Sequence, residues 1–230
     1  IVVEWEDGTE SIATGCEIYK MVFLSGNPWI LSANGTIFNS DVKGIVPGLL
    51  ERWYAERQQI QAQMKNAKDD KEKAFYDKRQ LVKKINLNSL YGAILNPGCR
   101  FFDNRIGQST TLTGRAIARH MAGKVNEIIT GENDHIGKAI IYGDTDSCYF
   151  SAYSTLKKDI EKGNIPWSKE NVVDLYDTIG EEVNSTFPKF MQDAFHCPKT
   201  RGEVIKAGRE IVASRGLFIT KKRYAVLYDD

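Results

Sequence analysis

Two long helical patterns joined by a short polar stretch most strongly limit the folds that this chain can adopt. Pro47 suits the first turn of a helix, and after it apolar residues recur at helical spacing to about residue 66. A second helical pattern extends from about Lys71 to Leu95, and the tip between the patterns, residues 66–73, is polar and charged. Two helices that meet at a solvated tip form an antiparallel hairpin. We therefore predict a helical hairpin that projects from the rest of the protein.

The remaining segments alternate between strand and helix patterns. The predicted elements are helices over about residues 111–129 and 168–187 and strands over residues 138–142, 147–152 and 204–228. Asp7-Gly8 and Asn34-Gly35 are typical of hairpin turns, and the strands of the last segment are expected to separate near residues 214–216. The predicted fold class is α+β, with helices on one face of an antiparallel sheet and the helical hairpin projecting from it.

Composition excludes several classes of protein. The 230 residues include 31 Lys+Arg and 30 Asp+Glu, and the net charge of +1 gives no global basic signature of a nucleic-acid-binding protein. Charge is concentrated locally, because Glu51 to Lys84 contains ten Lys/Arg and six Asp/Glu, which suits phosphate binding. No apolar run approaches the roughly 20 residues that span a bilayer. The four cysteines form no Cys-x-x-Cys pair, which argues against a zinc site and favours free thiols in a cytoplasmic protein.

The strongest local signal for chemistry is an acidic turn between two apolar strand patterns at residues 140–150. Residues two apart in a strand face the same side, so Asp144 and Asp146 are predicted to share one space. Neighbouring carboxylates repel each other unless a cation or a proton intervenes, and Mg²⁺ prefers oxygen ligands. A bare Asp-x-Asp turn is more often structural than functional. The apolar flanks strengthen the hypothesis of a metal site, although spacing alone shows only that one is feasible.

Three motifs in this sequence together resemble those of the family B DNA polymerases. Residues 142–147, Tyr-Gly-Asp-Thr-Asp-Ser, look like the third motif of that family. Residues 84–92 look like the second motif, a Lys followed four residues later by Asn-Ser-Leu-Tyr-Gly. Residues 221–224, Lys-Lys-Arg-Tyr, are similar to the family's Lys-x-Tyr segment near the primer-template. The motifs occur in the family's order, and the resemblance covers roughly residues 30–230. The sequences of the motifs most resemble those of replicative polymerases of large tailed bacteriophages.

The resemblance implies nucleotidyl transfer assisted by two Mg²⁺ ions, for which Mn²⁺ is a substitute. Asp146 would be the main ligand of both ions, and Asp144 would lie beside it near the primer end. Glu210 resembles a carboxylate near the metal site of this family, although a lone strand Glu is as often an exposed residue.

The resemblance also implies nucleotide-binding residues in the helical hairpin. Lys84 would contact the triphosphate of the incoming dNTP, Asn88 would face the nucleotide, and Tyr91 would pack near the nascent base pair. Their spacing independently places all three on one helix face. The alternative is an ordinary amphipathic helix with a surface Lys and a buried Tyr.

The other helix of the hairpin is expected to contribute to the same contact. Arg57 falls where the family has an Arg that grips the triphosphate. The phage enzymes have a Lys four residues later, where this chain has Gln61, and Lys65 one turn further along is expected to compensate. A solvated helix face is the alternative interpretation of Arg57 and Lys65.

DNA contacts are expected near the end of the chain. Lys221, Lys222, Arg223 and Tyr224 are predicted to bind DNA, and Lys222 and Tyr224 are expected to share one strand face because they alternate with Arg223. Contacts of this kind to the phosphate backbone give position rather than sequence preference. Gly92 would let the backbone or a base approach closely.

The resemblance divides the chain into a palm-proximal segment (1–43), a fingers hairpin (44–95) and a palm domain (96–230). The family's first metal-binding Asp is carried in a motif that reads roughly Asp-x-x-Ser-Leu-Tyr-Pro-Ser, which is expected upstream of Ile1. The chain is therefore expected to be part of a longer or split polymerase, and to be inactive alone.

The implied partners are primer-template DNA, dNTPs and the remainder of the polymerase, with no membrane. A sliding clamp and a single-strand-binding protein are implied by family alone. The main alternative is a non-catalytic DNA-binding or assembly subunit that retains the fold. A reverse transcriptase or nuclease is a weaker alternative, because reverse transcriptases carry adjacent Asp-Asp where Thr145 intervenes here.

Overall fold

The computed structural model describes residues 1–228 and contains helices and short antiparallel strands. In chain order the elements are β1 (Val2–Glu4), β2 (Glu10–Ile12), α1 (Gly15–Tyr19, continued by a π-helical turn over Lys20–Leu24), β3 (Trp29–Leu31), β4 (Ile37–Asn39), α2 (Ile45–Lys65), α3 (Asp70–Ile94), α4 (Asn104–Thr130), β5 (Ile140–Asp144), β6 (Ser147–Phe150), α5 (Tyr153–Glu161), α6 (Lys169–Phe195), α7 (Lys199–Gly202), β7 (Ala213–Thr220) and β8 (Arg223–Tyr228). The predicted α+β class is confirmed. The final two residues of the predicted palm segment lie outside the described residues.

The strands of residues 1–228 pair as four separate two-stranded antiparallel ribbons: β1–β2, β3–β4, β5–β6 and β7–β8. Glycines supply the left-handed backbone that two of the predicted turns need, with φ of 82° at Gly8 and 88° at Gly35. The ribbon β5–β6 carries the acidic turn, and the ribbon β7–β8 carries the turn at Lys221-Lys222, which is called the basic turn below. The two ribbons are joined by side-chain contacts rather than by a shared backbone ladder.

The predicted helical hairpin is formed by α2 and α3. Asp69 begins α3 as its N-cap, since its carboxylate accepts a hydrogen bond from the Glu72 backbone N–H at 2.7 Å. Two contacts cross between the helices: Arg57 with Gln80, and Glu56 with Lys83. The earlier residue of α2 pairs with the later residue of α3, so the two helices are antiparallel.

The core lies between α4 and α6. Val125 of α4 packs with Ile179, Val183 and Phe187 of α6, and strand residues such as Ile140 pack against this cluster. The ribbon β5–β6 is therefore supported by the most buried part of the protein. Helix α6 extends to Phe195 rather than ending near residue 187, and it contains Pro188. Burial of Met191 and Phe195 explains the longer helix, since burying apolar side chains offsets the loss of one backbone hydrogen bond.

The sequence-based prediction of the last strands was wrong at their turn. Residues 214–216 lie inside β7, and the chain turns instead at Lys221-Lys222. Gly216 does not break the strand, because its missing side chain leaves room for the Phe218 ring, which would lie 2.8 Å from an added Cβ.

Helix α4 begins at Asn104, seven residues before the predicted start at 111, with Asp103 as its N-cap. Helices α1, α5 and α7 were not predicted. Within residues 1–228, no helix is both long enough and apolar enough to cross a membrane.

Candidate functional site

The acidic turn lies at the tip of β5–β6. Asp144 pairs with Ser147 as the last rung of the ribbon, so Thr145 and Asp146 form a two-residue turn. Thr145 adopts a positive φ of 52°, a left-handed conformation that is uncommon for a β-branched residue. The Asp146 carboxylate is exposed and makes no hydrogen bond or ion pair with any residue in the described chain. It is therefore available to a ligand.

Asp144 has closer neighbours than Asp146. Its side chain is 20% exposed, and one carboxylate oxygen lies 3.9 Å from the Lys222 ammonium. The Thr145 hydroxyl donates a hydrogen bond of 3.3 Å to the other oxygen. The Ser147 hydroxyl donates to the Asp144 backbone carbonyl at 3.1 Å, which closes the turn. The acidic turn and the basic turn thus approach each other in space, although almost eighty residues separate them in sequence.

An aromatic cluster holds the two ribbons together beneath the acidic turn. It consists of Tyr142 and Tyr149 from β5–β6 and Phe218 and Tyr224 from β7–β8. The ring centroids lie between 5.3 and 6.1 Å apart. The Tyr142 hydroxyl accepts a hydrogen bond of 2.8 Å from the Lys222 backbone N–H. These contacts fix where the basic turn lies relative to Asp144.

Tyr149 shows the electrostatic character of this cluster. Its hydroxyl donates a hydrogen bond of 3.3 Å to the Tyr224 hydroxyl, which would be lost on ionisation. That bond, burial and the nearby Glu210 carboxylate raise the pKa of Tyr149 to about 12. Glu210 is therefore close enough to the ribbon to act on it through charge. Its own carboxylate is exposed.

The carboxylates fit part of a Mg²⁺ site. Asp144 and Asp146 offer oxygen ligands, but among residues 1–228 no three His, Cys, Asp or Glu side chains converge as a metal-binding group. Mg²⁺ requires near-octahedral oxygen ligation and commonly takes one or two carboxylates together with substrate phosphates and water. The acidic turn thus suits an ion whose remaining ligands come from other molecules or segments. The role of Glu210 as a ligand stays a prediction.

The basic turn differs from the expected arrangement in one respect. Lys222 does not alternate with Arg223 and Tyr224 along a strand, because it occupies the turn with a φ of 62° and β8 begins only at Arg223. The expectation that Lys222 and Tyr224 share a strand face was therefore wrong. The Lys221 and Arg223 side chains are exposed and have no ion-pair partner within the described chain, which leaves both cations available to an anionic ligand.

On α3, the Lys84 and Asn88 side chains are exposed and lie one turn apart. Tyr91 is half-buried, and its hydroxyl lies 3.2 Å from that of Thr111 on α4. Since the single Thr111 hydroxyl proton is donated to the Gly107 carbonyl at 2.7 Å, Tyr91 is the donor to Thr111. An added Cβ at Gly92 would meet no atom within 4 Å, so open space faces this residue.

The hairpin register shows which residues of α2 lie near Lys84. Arg57 contacts Gln80, one turn from Lys84 on the same face of α3. Because the helices are antiparallel and rise about 1.5 Å per residue, Lys65 lies roughly 18 Å from Lys84 along the hairpin, toward the tip. Arg57 and Lys84 can thus reach one ligand together. Lys65 reaches the same ligand only if that ligand extends toward the tip.

A cleft of about 450 Å³ beside the acidic turn brings in residues that sequence reasoning missed. It is lined by Arg115 and Arg119 of α4 as well as by Asp144. Neither guanidinium has a hydrogen-bond or ion-pair partner among residues 1–228. The spacing of the two arginines, four residues apart in a predicted helix, was the available signal, since it places both on one face.

Comparison with known proteins gives a consistent family. The model of DNA polymerase family B matches residues 29–230. DNA polymerase 1 of Pyrococcus abyssi is 28% identical over 197 residues, covering 85% of this chain and 21% of that protein. The DNA polymerase delta catalytic subunit of Glycine max is 32% identical over 187 residues, covering 81% of this chain and 15% of that protein. A DNA polymerase of Trichoplusia ni ascovirus 2c is 31% identical over 157 residues, covering 68% of this chain and 13% of that protein.

The fold is also similar to a solved structure. The family B DNA polymerase from the archaeon Pyrobaculum calidifontis aligns with a TM-score of 0.51 and 22% identity, covering 87% of this chain and 21% of that one. This chain therefore spans only about a fifth or less of the length of these relatives.

Proposed function

This chain belongs to DNA polymerase family B, and we propose that it forms the fingers and part of the palm of a DNA-directed DNA polymerase. The enzyme adds dNTPs to a primer 3′-hydroxyl as a template directs. The observation that carries this proposal is the acidic turn, where the unpaired Asp146 follows Asp144 by two residues and the Lys222 ammonium lies 3.9 Å from the Asp144 carboxylate. Two carboxylates beside a cation can serve a metal-bound triphosphate and a nucleic-acid backbone at the same place.

In the proposed reaction the primer 3′-oxygen attacks the α-phosphorus of the dNTP and pyrophosphate leaves. Asp144 and Asp146 would hold Mg²⁺ ions, which supply charge stabilisation to the attacking and leaving oxygens when bound. Lys84 and Arg57 neutralise the triphosphate from the hairpin, while Asn88 and Tyr91 face the nucleotide and the nascent base pair. The remaining metal ligand would come from another segment of the polymerase.

DNA binding is assigned to the basic turn and to the base of the hairpin. Lys221, Lys222, Arg223 and Tyr224 contact the duplex backbone near the primer end. Such contacts position a duplex without reading its bases, which suits an enzyme that must accept any template. Gly92, which faces open space, allows close approach of a base or of the backbone.

We place this activity in viral DNA replication, and specifically that of a bacteriophage, in the cytoplasm of the host cell. The amino-acid sequences of the three motifs support the phage assignment. The ascovirus DNA polymerase shows that relatives occur in viruses. The proposed partners are primer-template DNA, dNTPs, the remainder of the polymerase, a sliding clamp and a single-strand-binding protein.

Primer extension by the complete polymerase tests the proposal. We expect Asp146→Asn to lower the rate by about a thousandfold or more, because a lost metal ligand removes several kcal/mol of transition-state stabilisation. Asp174→Asn is the matched control, since Asp174 is exposed on α6 and lies outside the proposed site. Near-normal extension by Asp146→Asn would exclude catalysis at this turn. It would favour a non-catalytic DNA-binding subunit, which the lack of a three-ligand group in residues 1–228 also allows.

A further inference from the structure

Arg57 is held by one hydrogen bond that crosses the helical hairpin. Its Nε–H donates to the Gln80 side-chain carbonyl at 3.2 Å, and both side chains are half-buried. The guanidinium has five N–H donors in a planar fork, and the other four, on the two Nη atoms, have no partner within the described chain. The edge formed by the two Nη atoms, which can pair bidentately with a phosphate or carboxylate, is therefore left complete.

Asp77 determines which end of the Gln80 amide faces Arg57. The Gln80 amide nitrogen donates to an Asp77 carboxylate oxygen at 3.0 Å. An ionised carboxylate only accepts hydrogen bonds, so it must face the NH₂ group of the amide, which leaves the amide oxygen for Arg57. A flipped amide would place its NH₂ group against the guanidinium, and no hydrogen bond could form there because both groups are donors. Asp77, Gln80 and Arg57 thus form an ordered chain of hydrogen bonds.

The chain of hydrogen bonds lies on the face of the hairpin that carries the nucleotide-binding residues. Gln80 precedes Lys84 by one helical turn, and Asn88 follows by another, so all three share one face of α3. By bonding to Arg57, Gln80 keeps a guanidinium of α2 about one helical turn from Lys84. Without this bond, the long Arg57 side chain would sample many rotamers. Ordering the side chain when a ligand binds would then cost conformational entropy and lower the affinity for that ligand.

We propose that Gln80 is a positioning residue that holds Arg57 with its free N–H donors toward the triphosphate of the incoming dNTP. This inference rests on the proposed function, and it assigns a role to a residue that does not itself contact the substrate. Because the orientation exists before the nucleotide arrives, Gln80 acts mainly on nucleotide affinity. The bond it supplies is charge-assisted, so its loss should weaken dNTP binding by about tenfold.

The test compares the KM for dNTP and kcat of the complete polymerase with those of Gln80→Leu. We expect KM to rise by about tenfold with little change in kcat or in affinity for primer-template, because the contact is made before chemistry. Gln80→Glu is a second variant that keeps the helix and a polar side chain of the same length. Its carboxylate would occupy the guanidinium and cancel its charge, so KM should rise here as well. A wild-type KM in either variant, with the thermal unfolding transition retained, overturns the inference.

A matched control separates positioning from hairpin stability. Glu56 and Lys83 form the neighbouring contact between the same two helices, on residues that we do not assign to substrate binding. The double variant Glu56→Gln/Lys83→Met should leave the KM for dNTP unchanged. If this variant raises KM as much as Gln80→Leu, the effect belongs to the hairpin as a whole and the inference fails.

A double-mutant cycle gives the sharpest test. In an Arg57→Ala background, Gln80→Leu should raise KM no further, because the group that it positions is gone. Additive effects would show that Gln80 acts independently of Arg57, and would overturn the proposal. The proposed function and the positioning role of Gln80 can fail separately. An unmodified polymerase that does not extend primers contradicts the proposed function, whereas an active polymerase with unaffected Gln80 variants contradicts only the positioning role.

Discussion

At the acidic turn, two carboxylates two residues apart have different surroundings. Asp144 is largely buried, lies 3.9 Å from the Lys222 ammonium and accepts a hydrogen bond from Thr145. Asp146 is exposed and has no partner among residues 1–228. The ion pair is long and Lys222 is 70% exposed, so it contributes little to stability. Its significance is positional, because under the proposed function a bound phosphate would meet both a cation and a metal-binding carboxylate at this place.

Cys148, two residues after Asp146, provides a chemical probe of this region. Burial raises the pKa of its thiol to about 11. At pH 8 only about one Cys148 in a thousand is then a thiolate, the form that reacts with iodoacetamide. We expect mass spectrometry to show that the exposed Cys16 is labelled at pH 8 while Cys148 remains unlabelled. Labelling of Cys148 should increase as the pH approaches 11.

The sign of the accompanying stability effect follows from the raised pKa. An unfolded Cys thiol ionises near pH 8.5, so Cys148 contributes stability that is fully present below that pH and is lost as the pH rises toward 11. Equal labelling of Cys148 and Cys16 at pH 8 in the folded protein would contradict the raised pKa of Cys148.

At the scale of elements, the turn between α4 and β5 depends on a single buried amide. Asn126 is 0% exposed. Its NH₂ donates to the Glu132 carbonyl at 2.7 Å, and its side-chain oxygen accepts from the Ala139 N–H at 3.0 Å. The amide thus satisfies the backbone of the turn at both ends, just before the strand that leads to Asp144. Gly137 passes so close that an added Cβ would lie 2.2 Å from the Asn126 amide nitrogen.

Gly137→Ala should therefore destabilise the protein. The new methyl group displaces Asn126 and weakens both of its hydrogen bonds, at an expected cost of about 1–3 kcal/mol in the free energy of unfolding. Urea denaturation followed by circular dichroism measures the change. Gly180→Ala is the control, because Gly180 lies in α6 with no atom within 4 Å of an added Cβ. That variant should be neutral or more stable by up to about 1 kcal/mol. Equal stability of the two variants would contradict the role of Asn126.

The elements differ in how far sequence could predict them. The hairpin helices were predicted within one or two residues of their ends, because their patterns are long and their tip is polar. The turn at Lys221-Lys222 was misplaced, because Gly216 has the composition of a turn residue and only its packing against Phe218 shows that it belongs to a strand. The contact of Arg57 with Gln80 depends on the register between two helices, which neither helix encodes alone.

At the scale of the whole molecule, the described residues include the proposed nucleotide- and DNA-binding groups but no group of three His, Cys, Asp or Glu side chains that could hold a metal ion. Asp144 and Asp146 were predicted from sequence together with their shared turn. The approach of Lys222 to that turn was not predicted, because it depends on packing between ribbons 80 residues apart. The α+β class followed from local patterns, whereas division of the strands into four ribbons depends on these long-range contacts.

The 230-residue chain, prepared alone and shown to be folded by circular dichroism, should therefore not extend a primer. Its affinity for Mn²⁺, measured by electron paramagnetic resonance, should be on the order of millimolar or weaker, since two carboxylates are an incomplete ligand set. Adding the rest of the polymerase should restore extension. Micromolar binding that Asp146→Asn abolishes would instead show that this chain completes the site by itself.

The aromatic cluster beneath the turn has a mechanical consequence. A β-ladder between β5–β6 and β7–β8 would make the two ribbons one stiff sheet, but rings 5.3–6.1 Å apart resist a change of angle far less than paired backbones do. Each ribbon keeps its own hydrogen bonds when their mutual tilt changes. The cluster therefore permits small changes in the angle between the two ribbons, while the hydrogen bond from the Lys222 N–H to the Tyr142 hydroxyl keeps the basic turn near Asp144.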